Sequence, residues 1–148
     1  NVPRNYFLKI ISFCLYFLFV SFSFTYGNAL SEQKDYTEYR MNLVVSDLNH
    51  LEIMNNQQIK QVKIVGDIGR APVIRNMPQD YQILNRLIPS TFGGDGVWSS
   101  AYFFSYLDLK NLTISTDDGL LELDLPVLVD TMYHEIRGDD AHIIITLK

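Results

Sequence analysis

From Ile10 to Ala29 the chain runs for 20 residues without a charged side chain, and this run limits the folds open to it. As a helix rising ~1.5 Å per residue it would measure roughly 30 Å, the thickness of a bilayer's hydrocarbon core. A helix buried in a soluble domain rarely needs apolar side chains on every face for that length. A cleavable export signal fits some features. Arg4 and Lys9 would form its positive start, and Gly27 and Ala29 are small residues at the spacing a signal peptidase prefers. The run nevertheless exceeds the usual ~7–15 residues of such a signal. It also passes into the helix-permissive "NALSEQKDYTEYR" without a proline or glycine cluster. The favoured reading is a retained transmembrane helix, with Tyr6 and Tyr26 near its two ends, where amphipathic rings prefer to lie.

Charge then sets orientation. Arg4 and Lys9 precede the run with no acid beside them, whereas Glu32, Asp35 and Glu38 follow it closely. The positive-inside rule places the N-terminus in the cytoplasm and everything after about Gly27 outside. Three segments follow: residues 1–9 as a cytoplasmic or connecting piece, 10–29 as the span, and 30–148 as an extracytoplasmic domain. Of the chain's 12 basic residues 10 lie from Ile10 onward, against all 17 acids, a local balance of −7. A region that acidic is a poor partner for nucleic acid or anionic headgroups. The single cysteine, Cys14, lies inside the run and has no intrachain partner. The chain opens on Asn1, and "NVPRN" reads as a short loop before the last span of a polytopic protein.

The remainder alternates helix and strand signals. Tyr36, Tyr39, Leu43, Asp47, Leu48, Leu51 and Met54 recur at three- and four-residue steps, which predicts a helix continuing from Ser31 to about Met54 and ended by "NNQQ". "QVKIVGDIG" is the best early strand, and "PQDYQILNRLIPS" a short helix stopped by Pro89. "TFGGDGVWSS" reads as a glycine-rich loop entering a helix through "VWSSAYFFSYLDL". "NLTIS" and "LLELDL" are short strand candidates around the turn Asp117-Asp118-Gly119. "TMYHEIR", "GDD" and "AHIIITLK" predict a closing antiparallel hairpin. The class is α+β: one N-terminal transmembrane helix and a small mixed domain ending in a β-hairpin.

Each candidate chemical motif has an ordinary explanation that fits better. Gly93-Gly94-Asp95-Gly96 before a helix would offer N–H groups to a phosphate. It has no lysine, matches no nucleotide-binding fingerprint, and carries an acid that repels phosphate. Trp98, Tyr102 and Tyr106 form an i, i+4, i+8 stripe suited to stacking on sugar rings, and suited equally to core packing. Glu122-x-Asp124 on a strand would share one face, as a metal pair does, but a solvated edge explains it as well. His134 and His142, with Glu135, Asp139 and Asp140 nearby, lack zinc spacing and read as surface histidines. The sequence gives no catalytic constellation, no metal site and no cofactor.

The composite pattern carries more than any one motif. The aromatic-rich span running into "YGNALSEQKDYTEYRMNLVVSDL" resembles the C-terminal region of bacterial O-antigen-modifying glucosyltransferases, of the serotype-converting glucosyltransferase II type. "VGDIGRAPVIRN", "LIPSTFGGDGVWSSAYF" and "LPVLVDTMYHEIRGDDAHIIITLK" are similar to the extracytoplasmic tail of those proteins. The resemblance implies a piece of a polytopic inner-membrane enzyme whose C-terminal domain lies in the periplasm. Such an enzyme takes glucose from a polyprenyl-phosphate-glucose donor and adds it to the O-antigen of lipopolysaccharide. It implies inner-membrane lipid as a partner and no nucleotide-binding fold. The catalytic acids of such enzymes are expected between earlier spans, so no catalytic residue transfers to this chain. Asp67, Arg70, Arg75, Asp95 and Trp98 are the candidate substrate-binding positions. The alternative is a membrane-anchored or secreted extracytoplasmic binding or scaffold domain with no enzymatic role.

Overall fold

The computed structural model describes residues 4–51, 58–77, 81–88 and 112–148. Helix α1 (Arg4–His50) is unbroken for 47 residues, about 70 Å at ~1.5 Å per residue. It has two unlike halves. Through Thr25 almost every side chain is exposed on all faces, with Phe13, Phe19 and Phe24 each about 70 % accessible. The hydroxyls of Ser23 and Thr25 donate to the carbonyls of Phe19 and Ser21, one turn back. These bonds keep polar groups satisfied on an otherwise apolar surface. By length and composition this half is able to cross a membrane.

From Ala29 onward α1 buries one stripe: Ala29, Gln33, Thr37, Arg40, Met41, Val44 and Leu48. The sequence expectation is corrected here in register. Tyr39, placed on the apolar stripe, is 52 % exposed, and the helix ends at His50 rather than near Met54. Three polar residues on the buried face disguised the true period. Ala29 is buried within a helical turn against Ala71, Ile74 and Ile88.

A five-stranded mixed sheet receives the second half of α1, in the order β2-β1-β5-β4-β3. Its strands are β1 (Lys60–Gly66), β2 (Leu112–Ile114), β3 (Val127–Asp130), β4 (His134–Gly138) and β5 (His142–Leu147). β1 pairs in parallel with β2 and β5, while β4 runs antiparallel to β3 and β5. β5 holds the centre because Ile143-Ile144-Ile145 gives apolar cover to both faces, as a doubly covered strand requires. The core lies between one face and α1, where Val44 and Leu48 meet Val62, Ile136, Ile143 and Ile145. Fully burying a side chain of that size contributes about 1.5–3 kcal/mol.

The hairpin forms as the sequence predicts. Asp139 shapes its turn by accepting hydrogen bonds from the N–H groups of Ala141 (2.8 Å) and His142 (2.6 Å). Burial pushes the Asp139 carboxyl up, but these two N–H groups and the His142 imidazole outweigh it and hold it below its ordinary 3.8. "LLELDL" departs from expectation. Asp118–Glu122 is a 3-10 helix rather than a strand, and the next strand begins only at Val127. Asp117 caps that helix through Gly119 N–H, and Leu120 turns inward, so the turn chemistry overrides the apolar run. Lys63, on the sheet face away from α1, reaches Asp117 O and the Asp118 carboxylate, which secures the 3-10 helix.

Beyond β1 the chain turns back toward the middle of α1 through two short helices, α2 (Pro72–Arg75) and α3 (Gln82–Leu87). Pro72 starts α2 with its ring pre-set for helix, and Ala71 before it is extended, as a pre-proline residue must be. Gly66 is required where it stands. Its φ is +91°, and a Cβ there would lie 2.2 Å from the Leu147 carbonyl oxygen.

Candidate functional site

The densest polar assembly among the described residues lies where α1 meets the loop from Asp67 to Ala71. Gln33 acts there as a surrogate strand. Its Nε2 donates to Gly69 O (3.1 Å) and its Oε1 accepts from Ala71 N–H (2.9 Å). Gly69 adopts a φ of +77°, and its N–H donates to Asp67 Oδ1 at 2.8 Å, an Asx turn that shapes the loop. Asp67 therefore works on its own backbone, although its side chain remains exposed.

Arg40 occupies the centre of this junction and is 4 % exposed. Its Nη1 donates to Ile68 O (3.1 Å) and to the Tyr36 hydroxyl (2.8 Å). Its Nη2 donates to Tyr133 O and Lys148 O, each at 2.7 Å. The guanidinium lies 4.7 Å over the Tyr133 ring. Among the described residues no aspartate or glutamate side chain meets it. A planar fork with five donors suits such a mosaic of carbonyls, where an ammonium does not. One side chain thereby joins α1, the loop after β1, the approach to β4 and the end of β5.

Two turns further along α1, Asp47 Oδ2 lies 2.9 Å from His134 Nε2, and the Thr131 hydroxyl lies 3.4 Å from His134 Nδ1. An acid, an imidazole and a hydroxyl in line suggest a nucleophilic triad. The hydroxyl is committed elsewhere, however. It donates to His134 O (2.9 Å) and accepts from the N–H groups of Tyr133 and His134. The arrangement fastens helix to sheet. His134 is 1 % exposed, which corrects the expectation of a surface histidine.

The hairpin register separates the two histidines. His134 pairs with Leu147 at one end on the α1 side, whereas His142 precedes Ile143 at the other end and faces away. Glu122 closes the 3-10 helix and Asp124 lies in irregular chain beyond it, so they do not form the shared strand face considered above.

Of the five candidate binding positions three fall among the described residues. Asp67, Arg70 and Arg75 lie on one connected loop and α2. Arg70 is half-buried and Arg75 exposed, and neither forms an ion pair among the described residues. Asp95 and Trp98 fall outside the described residues, as do the glycine-rich loop and the Trp98-Tyr102-Tyr106 stripe. Two guanidinium groups turned toward the surface suit phosphate or carboxylate oxygens and offer no proton transfer. Sequence reasoning missed Gln33 and Arg40, whose polarity sits on a face that apolar periodicity assigns to nothing, and misread the buried His134 as a surface residue. A signal was present in the four-residue step Ala29, Gln33, Thr37 followed by Met41. Comparison with protein-family models, with curated proteins and with solved structures finds no match to this chain.

Proposed function

We propose that this chain is the C-terminal part of a polytopic inner-membrane glucosyltransferase that moves glucose from polyprenyl-phosphate-glucose to the O-antigen of lipopolysaccharide. α1 is its last span, and the sheet lies in the periplasm, where an undecorated O-antigen repeat would meet it. The observation that carries the reading is α1 itself, apolar on every face in one half and locked to the sheet in the other. The positive flank at Lys9 and the acids from Glu32 onward support the orientation. Asp67, Arg70, Arg75, Asp95 and Trp98 take part in holding the acceptor, while catalysis belongs to acids outside this chain.

The test is alanine substitution at each of the five positions in the full-length enzyme, reading glucosylated O-antigen from cells. A drop of about tenfold or more at one or more positions, with membrane levels unchanged, is expected; about 1.4 kcal/mol of lost binding produces that factor. Unchanged modification in all five variants would remove the acceptor role. A second reading, an anchored scaffold without enzymatic activity, gains support from Gln33 and Arg40, whose donors are spent on mounting the sheet. An upstream reading frame encoding further spans argues for the transferase, and a start codon directly before Asn1 for the scaffold.

A further inference from the structure

We infer that α2 and α3 form a membrane-surface foot that seats beside α1 in the headgroup layer of a bilayer. The inference rests on the membrane reading of α1 and on nothing about sugar transfer. Each short helix has two apolar sides. One side holds Ile74, Leu84 and Ile88, all buried, and Ile74 and Ile88 pack with Ala29, Tyr26 and Leu30 of α1. The other side shows Val73 (53 % exposed), Ile83 (61 %) and Leu87 (48 %), with Tyr81 beside them (48 %). Ile83 and Leu87 stand four apart on one exposed face of α3, while Leu84, one residue on and about 100° round the helix, turns inward.

Position decides the occupant. The foot touches α1 at Tyr26 to Leu30, where the chargeless run ends. A span with its hydrocarbon segment at Ile10–Ala29 puts this level in the interface, and the exposed apolar surface of α1 leads directly to the foot. Charge agrees. From Asp67 to Ile88 the charged residues are Arg70, Arg75 and Arg86 against Asp67 and Asp80, a local balance of +1. The acidic balance of the domain as a whole does not describe this patch. Tyr81 and Arg86, both exposed among isolated aliphatic side chains, have the composition of an interfacial surface, where a ring and a guanidinium group meet lipid phosphodiesters and aliphatic groups dip below them.

The experiment uses the whole chain carrying Cys14→Ser, reconstituted in vesicles of phosphatidylcholine and phosphatidylglycerol. Single cysteines are introduced as Val73→Cys, Ile83→Cys and Leu87→Cys and labelled with an environment-sensitive dye. Phe17→Cys marks the centre of the span, and Met132→Cys, at a position 78 % exposed beside the hairpin, marks water. Lipids with a quencher on the upper acyl chain are expected to shift the dye emission to the blue and quench it at positions 73, 83 and 87, and to leave position 132 unchanged. Emission at 83 and 87 matching that at 132, with position 17 in lipid, overturns the foot and leaves the anchor standing. Emission at 17 matching that at 132 overturns both. All replaced foot positions are exposed, so folding, checked by circular dichroism, is expected to survive each change.

Discussion

Arg40 carries more of the architecture than any other side chain described, and it was the least legible. An arginine between Tyr39 and Met41 in a helix with many charges reads as a solvated position; only the tertiary structure supplies the four oxygens that justify burying it. Arg40→Met leaves the carbonyls of Ile68, Tyr133 and Lys148 without this donor. It is expected to destabilise the sheet domain by about 3–4 kcal/mol, measured by chemical denaturation in detergent. Arg40→Lys recovers only part of this, because three donors on one nitrogen cannot span the fork. Asp139 gives a pH signature of the opposite character. Its folded carboxyl titrates below its ordinary 3.8, so its stabilising effect is present above about pH 4 and disappears as pH falls through the folded value. The stability difference between the wild-type chain and Asp139→Asn should therefore narrow on acidification below about pH 4. A difference that widens there contradicts the assignment.

Among the elements, those set by local chemistry were readable and those set by partners were not. The hairpin follows from alternating β4, a glycine-aspartate turn and the isoleucine run of β5, each strong within a few residues. β1 was readable for the same reason. "LLELDL" has a strand's composition, yet Asp117 and Gly119 close a 3-10 turn first, and Lys63 from a distant strand holds it. The sheet order, with β1 beside β5, depends on a pairing between residues about 80 apart that no local pattern encodes. The loop from Asp67 to Ala71 carries two of the candidate positions, and what fixes it is Gln33 on another element. Gln33→Ala is expected to cost about 1–3 kcal/mol in local stability and to speed amide hydrogen exchange at Ala71 by tenfold or more, with β5 unaffected. Unaltered exchange at Ala71 would show that the loop holds itself.

For the whole molecule, the consequence of one unbroken α1 is mechanical. Its apolar half and its docked half are a single rod, and Arg40, Gln33 and Asp47 fasten loop and sheet to it. The mixed helix and strand class was legible because composition separates the two halves sharply; the tightness of their coupling was not, because it depends on polar contacts across the fold. Through Thr25 α1 presents the apolar surface, exposed on every face, of a helix long and apolar enough to cross a membrane. The account is tested most directly by alkaline carbonate extraction of membranes from cells expressing this chain, followed by sizing of the product. It predicts an uncleaved chain that stays in the pellet and is released only by detergent. Full-length protein in the carbonate supernatant, or a shortened product beginning after Ala29, would contradict it.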